Sequence, residues 1–151
     1  MKRKIVWGGA VLVIAAVLAY FLWPMPLGEV LPEGETINVV YVKHILPGNG
    51  EVRQESTDYQ LDADSEQAAQ LRAALEGYTY HRTWGTILSD NSIDGPDEWA
   101  GYTLQLFAGD KSISSMGSGT VLINGCVHRV GYWGNQTDLA WMEEVCAVLG
   151  V

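Results

Sequence analysis

The apolar positions of this chain fall into three patterns. The first is continuous: from Ile5 to Trp23, "IVWGGAVLVIAAVLAYFLW" contains no charged residue. At the helical rise, a run of about 19 residues extends roughly 29 Å, close to the hydrocarbon thickness of a bilayer. Trp7 lies near one end, and Tyr20, Phe21 and Trp23 lie at the other, where amphipathic rings favour headgroup depth. Lys2, Arg3 and Lys4 precede the run, and Pro24 and Pro26 follow it. This predicts an N-terminal transmembrane helix over residues 1–23. The basic start places the N-terminus in the cytoplasm and the C-terminal domain outside a cell membrane that is crossed once. A secretory signal peptide has a shorter core, about 7–15 residues, and a cut after Val17-Leu18-Ala19 would leave "YFLW" exposed at the new terminus. An uncleaved anchor is the expectation.

The second pattern is the lack of one. Residues 24–35, "PMPLGEVLPEGE", hold three prolines and two glycines with no apolar periodicity, which predicts an extended stalk.

The third pattern alternates with period two and, twice, with the helical period. "TINVVYVKH" (36–44) is rich in β-branched residues and predicts a strand; residues 51–61 are polar and predict an edge strand. In "DADSEQAAQLRAALEG", Ala68, Leu71 and Leu75 make a narrow helical stripe, with Asp64 and Gln67 at capping-box spacing and Gly77 at the stop. "YTYHRTWGTIL" (78–88) returns to strand character, which would put Tyr78, Tyr80 and Trp84 on one face with Arg82 among them. "YTLQLF" (102–107) alternates again, and "AGD" turns it into "KSISSM". Asn124-Gly125 favours a two-residue type I′ hairpin, pairing Ile123 with Cys126, Leu122 with Val127 and Val121 with His128. A closing helix, capped at Thr137, carries a stripe of Leu139, Met142, Cys146 and Leu149. The predicted class is α+β: after the membrane helix, a single antiparallel sheet with two packed helices over residues 36–151.

Charge narrows the partners. Removing the three basic residues at the start leaves six Lys/Arg against 18 Asp/Glu, a domain near −12. Such a surface repels nucleic acid and anionic lipid headgroups, and no nucleic acid is expected as a partner. The expected partners are the membrane, through the first helix, and a protein or cell-wall carbohydrate.

Four clusters carry candidate chemistry. Asp90, Ser92 and Asp94 before Gly95 match the first half of a calcium loop, but its twelfth position is Gly101 rather than a bidentate glutamate. Cys126 and His128, two apart on a strand, share a side and have the composition of a thiolate–imidazole pair for a thiol enzyme. Cys126 and Cys146 are the only cysteines, and both a disulfide and two buried thiols fit their positions. Tyr80, Arg82, Trp84 and Trp99 flank the acidic loop and are candidate ligand-binding residues; in the core such rings would merely fill space.

The basic start, the single apolar run, the Pro/Gly stretch and "GDKSISSMGSGTVLINGCVHRVGYW" before a last helix are together similar to small membrane-anchored extracytoplasmic proteins of Gram-positive bacteria. The resemblance is one of layout; it implies a displayed module and carries over no catalytic residue. The expectation is a non-enzymatic, membrane-anchored binding or interaction module. A calcium- or carbohydrate-binding surface domain is the second reading, and a thiol enzyme the weakest.

Overall fold

The computed structural model describes residues 2–45, 53–88, 101–115, 117, 120–131 and 137–151, with side chains from residue 9 onward. Five helices are described: α1 (Lys2–Leu22), α2 (Leu27–Val30), α3 (Glu66–Glu76), α4 (Trp84–Leu88) and α5 (Asp138–Leu149). The strands are β1 (Ile37–Ile45), β2 (Arg53–Leu61), β3 (Tyr80–Arg82), β4 (Tyr102–Ala108), β5 (Lys111–Ser115), β6 (Val121–Ile123) and β7 (Cys126–Val130). All seven form one antiparallel sheet in the order β2-β1-β4-β5-β6-β7-β3.

Register assigns the faces. Val39 lies opposite Leu106, Leu106 opposite Ile113, and Ile113 opposite Ile123. Because side chains alternate, these and Ile37, Leu104, Ala108, Val121, Val130 and Tyr80 share one face, and every one is buried. Helices α3 and α5 pack against each other, and Ala68, Leu71, Leu75, Trp141, Met142 and Val145 complete this core.

Local chemistry sets the helix ends. Ser65, not Asp64, caps α3 by accepting from the Ala68 N–H at 3.1 Å. Gln67 serves no capping box; its amide donates to the Val148 carbonyl at 3.0 Å and ties α3 to α5. Thr137 caps α5 as expected, accepting from the Ala140 N–H. Of the expected stripe of α5, Met142, Cys146 and Leu149 are buried and Leu139 is exposed, while Trp141 and Val145 widen the buried face. The hairpin follows the Asn-Gly rule, with φ positive at both Asn124 and Gly125 and all three expected pairs formed.

Three expectations are corrected. Among the described residues, no helix is long and apolar enough to cross a membrane, so the transmembrane helix read over 1–23 is not part of this fold. The part of α1 with described side chains, residues 9–22, rises only about 21 Å, and its last turn leans on the domain through Phe21, whose ring lies 4.7 Å from that of Trp84. Residues 24–35 do not stand off as a stalk. The Met25 N–H donates to the Tyr80 carbonyl at 2.8 Å, and Val30 and Leu31 are in the core. Arg72 then fastens the segment by donating to the carbonyls of Leu31 and Glu35. Finally, residues 78–88 are not one strand. The chain leaves the sheet after Arg82 because Thr83 and Thr86 cap each other: the Thr83 N–H donates to the Thr86 hydroxyl oxygen at 2.8 Å, and the Thr86 N–H returns the bond at 3.3 Å.

Candidate functional site

The break after Arg82 builds a region where polar and aromatic groups converge around a cleft. Strand β3 is an edge strand three residues long, held to β7 with Tyr80 opposite Val130, His81 opposite Arg129 and Arg82 opposite His128. Thr83 and Thr86 both donate to the Val127 carbonyl, at 2.8 and 2.6 Å, and so pin α4 beside the hairpin. The end of α1 lies across the same corner. Between them is a cleft of about 200 Å³ lined by Phe21, Leu22, His81, Arg82, Thr83, Trp84, Arg129 and Gly131.

Alternation along β3 divides the labour. Tyr80 points into the core, where the Trp141 indole N–H donates to its hydroxyl at 3.0 Å. Burial pushes the Tyr80 phenol well above its ordinary range. His81 points to the other face, beneath the end of α1. Its imidazole is pushed below the usual histidine range by burial first, then by the Arg129 charge, against a backbone hydrogen bond to Phe21. At pH 7 it is neutral. Arg82 lies over the Tyr20 ring at 5.1 Å from the centroid, with the Glu29 carboxylate 3.8 Å away.

Of the residues expected to bind ligand, Arg82 and Trp84 line this cleft, and Trp84 is largely exposed. Tyr80 is a core residue and does not. Trp99, like Asp90, Ser92 and Asp94 of the calcium reading, lies outside the described residues. Among the described residues no group of His, Cys, Asp or Glu is placed to hold a metal ion. His81, Arg129 and Phe21 are additions that the sequence reading missed; the register of β3 on β7 sets His81 beside Arg129, the lean of α1 brings Phe21, and no spacing in the chain announces either.

The cysteine readings meet geometry here. Both cysteines are free thiols. Cys126 belongs to β7, whereas Cys146 contacts Tyr102 of β4, three strands away. Three strand spacings are about 14 Å, and a disulfide needs Cα atoms within about 7 Å. The two cysteines are not bridged in this structure. His128 does not engage the Cys126 thiol: its Nδ1 hydrogen goes to the Cys126 carbonyl at 2.8 Å, which fixes the tautomer. Burial, and after it the Arg82 charge, lower the basicity of that imidazole despite this bond. The arrangement is that of a core histidine.

Beside the cleft is a second hollow, of about 440 Å³, between α1 and α4, lined by Ala16, Val17, Tyr20, Phe21, Trp84 and Ile87. Around it Val11, Leu12, Val13, Ile14, Leu18, Trp23 and Leu88 are exposed. Comparison of the chain with family profiles, with curated protein sequences and with solved structures returns no match.

Proposed function

We propose that this protein is a non-enzymatic binding module whose acidic domain is held at a lipid surface through α1 and the adjoining face of α4, where it meets a protein or carbohydrate partner. One observation carries the reading: Val11, Leu12, Val13 and Ile14 are consecutive and all exposed, from 59 to 73 %. Consecutive helical residues point about 100° apart, so these four put apolar surface on every side of α1. Water is a poor solvent for such a rod, and the exposed apolar residues continue over Trp23, Trp84, Ile87 and Leu88, the kind of surface that marks an interaction site. Trp23 and Trp84, both exposed near the end of α1, are amphipathic rings of the kind that favour a lipid–water interface.

Flotation with phosphatidylcholine vesicles tests this. The full chain is expected to rise with the vesicles, and a V13E/V17E variant to stay in the dense fraction, because two carboxylates on the exposed apolar surface oppose adsorption to lipid. Wild-type protein that stays with the variant would overturn the reading.

A further inference from the structure

We propose that the open side of β2 takes up an extended, basic segment of a partner protein as an added strand, with a lysine or arginine of that segment reaching the hollow beside Asp58. For the class of its partner this rests on the binding-module reading, and it does not depend on the lipid surface.

The backbone of β2 is poised for such an addition. It pairs with β1 along its whole length, from Arg53 opposite Ile45 to Leu61 opposite Ile37, without a bulge. Among the described residues no strand pairs with its other side, whereas β3, at the opposite end of the sheet order, is bridged by Met25. An antiparallel strand turns the N–H and C=O of alternate residues outward, so β2 presents about four such residues to its open side. All but Tyr59 and Leu61 are exposed. Sheets commonly blunt such a strand with proline, lysine or a bulge, and "RQESTDYQL" has none of them. A peptide backbone repeats at the same two-residue interval and can satisfy the whole row of donors and acceptors; a sugar has no such repeat.

Charge and shape select the segment. Arg53 and Glu55 neutralise each other at 3.4 Å. Among the described residues Asp58 has no ion pair, and the exposed Asp62, Asp64 and Glu66 follow the strand. Val40 lies opposite Asp58 and Asn38 opposite Gln60, and alternation puts all four on the sheet face away from α3 and α5. There a hollow of about 330 Å³ is lined by Asn38, Val39, Val40, Asp58, Tyr59 and Gln60. A lysine or arginine opposite Asp58 on the added strand would stand about 5 Å from it. Its head can then donate to the Asp58 carboxylate and to the amide oxygens of Asn38 and Gln60 around the hollow. A second copy of the chain is the poorer occupant. With six Lys/Arg against 18 Asp/Glu beyond its basic start, the domain repels itself.

The test titrates a fluorescein-labelled peptide with the full chain in dodecyl maltoside and reads anisotropy. The probe has the nine-residue length of β2 and alternates lysine with threonine, so every lysine lies on one face of an extended strand. Saturable binding is expected, with D58N weakening it about twofold to fivefold, the worth of a partly exposed ion pair. D110N removes the same charge elsewhere and should leave binding unchanged; both side chains are exposed, so neither substitution disturbs the fold. A glutamate–threonine peptide should not saturate. Methylating alternate amide nitrogens of the probe keeps its charge and blocks one edge at a time. One of the two resulting peptides should bind like the parent, and the other at least about tenfold more weakly, through lost main-chain hydrogen bonds. Equal binding of the two, equal effects of D58N and D110N, or no saturation would overturn the strand site. A dimer of the chain alone in sedimentation velocity, dissociated by the peptide, would make a second copy the occupant and overturn the basic partner. The titration needs no vesicle: binding without flotation removes the lipid-surface reading alone, and flotation without binding removes the strand site alone.

Discussion

Tyr80 joins the site-bearing edge strand to the core, and Tyr80→Phe measures how firmly. The substitution removes one oxygen and leaves the ring. Tyr80 and Trp141 are both fully buried, and the Trp141 N–H donates to that oxygen at 3.0 Å. The hydroxyl's own donation to the Leu75 carbonyl is 3.5 Å long and contributes little. The main cost is therefore a buried indole N–H left without an acceptor, about 1–3 kcal/mol. For a chain of this size each kcal/mol shifts the melting temperature by about 3 °C, so a fall of roughly 3–9 °C is expected. Urea unfolding followed by tryptophan emission gives the free energy, and Tyr59→Phe, at a partly exposed ring, should change it by less than about 0.5 kcal/mol. A Tyr80→Phe cost as small as that of Tyr59→Phe would show that the indole keeps an acceptor, and the account of how β3 is fastened to α5 would be wrong.

Three further outcomes are expected. Leu31→Ala should cost about 2–5 kcal/mol in urea unfolding, because Leu31 is 1 % exposed in the core; near-zero cost would restore the stalk. His81 and His128 are both less basic folded than unfolded, so the unfolded chain binds more protons just below the ordinary histidine pKa. Their contribution is complete above about pH 6.5 and is lost as pH falls through it, levelling off below the folded values. Melting temperature should fall from pH 7.5 to 5.5, less so in His128→Gln, and a flat wild-type profile would contradict the buried neutral imidazoles. Under native conditions iodoacetamide should label the partly exposed Cys126 well before Cys146, whose thiol is buried and pushed up by that burial. An intact mass showing an intramolecular bridge would refute the free-thiol geometry.

The sheet was readable where local chemistry and tertiary packing agree. Asn124-Gly125 dictates its turn, and the β-branched run at 37–45 forms β1 with its alternate residues inward. Residues 78–88 were misread because Tyr, Thr, Trp and Ile favour strands, whereas the Thr83–Thr86 reciprocal cap, four atoms in all, ends β3 and starts α4. That signal is present in "TWGT" but is shorter than any periodicity window. Residues 24–35 misled for a related reason: three prolines and two glycines mask Val30 and Leu31, whose burial depends on α3 and its Arg72. The cleft was half visible. Arg82 and Trp84 are close in sequence, but Arg129 and Phe21 arrive by register and by the lean of α1, which only the assembled sheet specifies.

The Met25–Tyr80 bridge comes three residues after α1 ends and covers the outer rim of β3. The domain is thus leashed too tightly to swivel on its helix. Six strand spacings, about 29 Å, separate that rim from β2, the other margin of the sheet, so β2 is held at the far side from α1. Its nine residues are almost all open to solvent, with Arg53, Glu55 and Asp58 guarding them against indiscriminate strand addition. A protein arriving from the side away from α1 therefore meets a polar ledge of fixed bearing rather than a tumbling one.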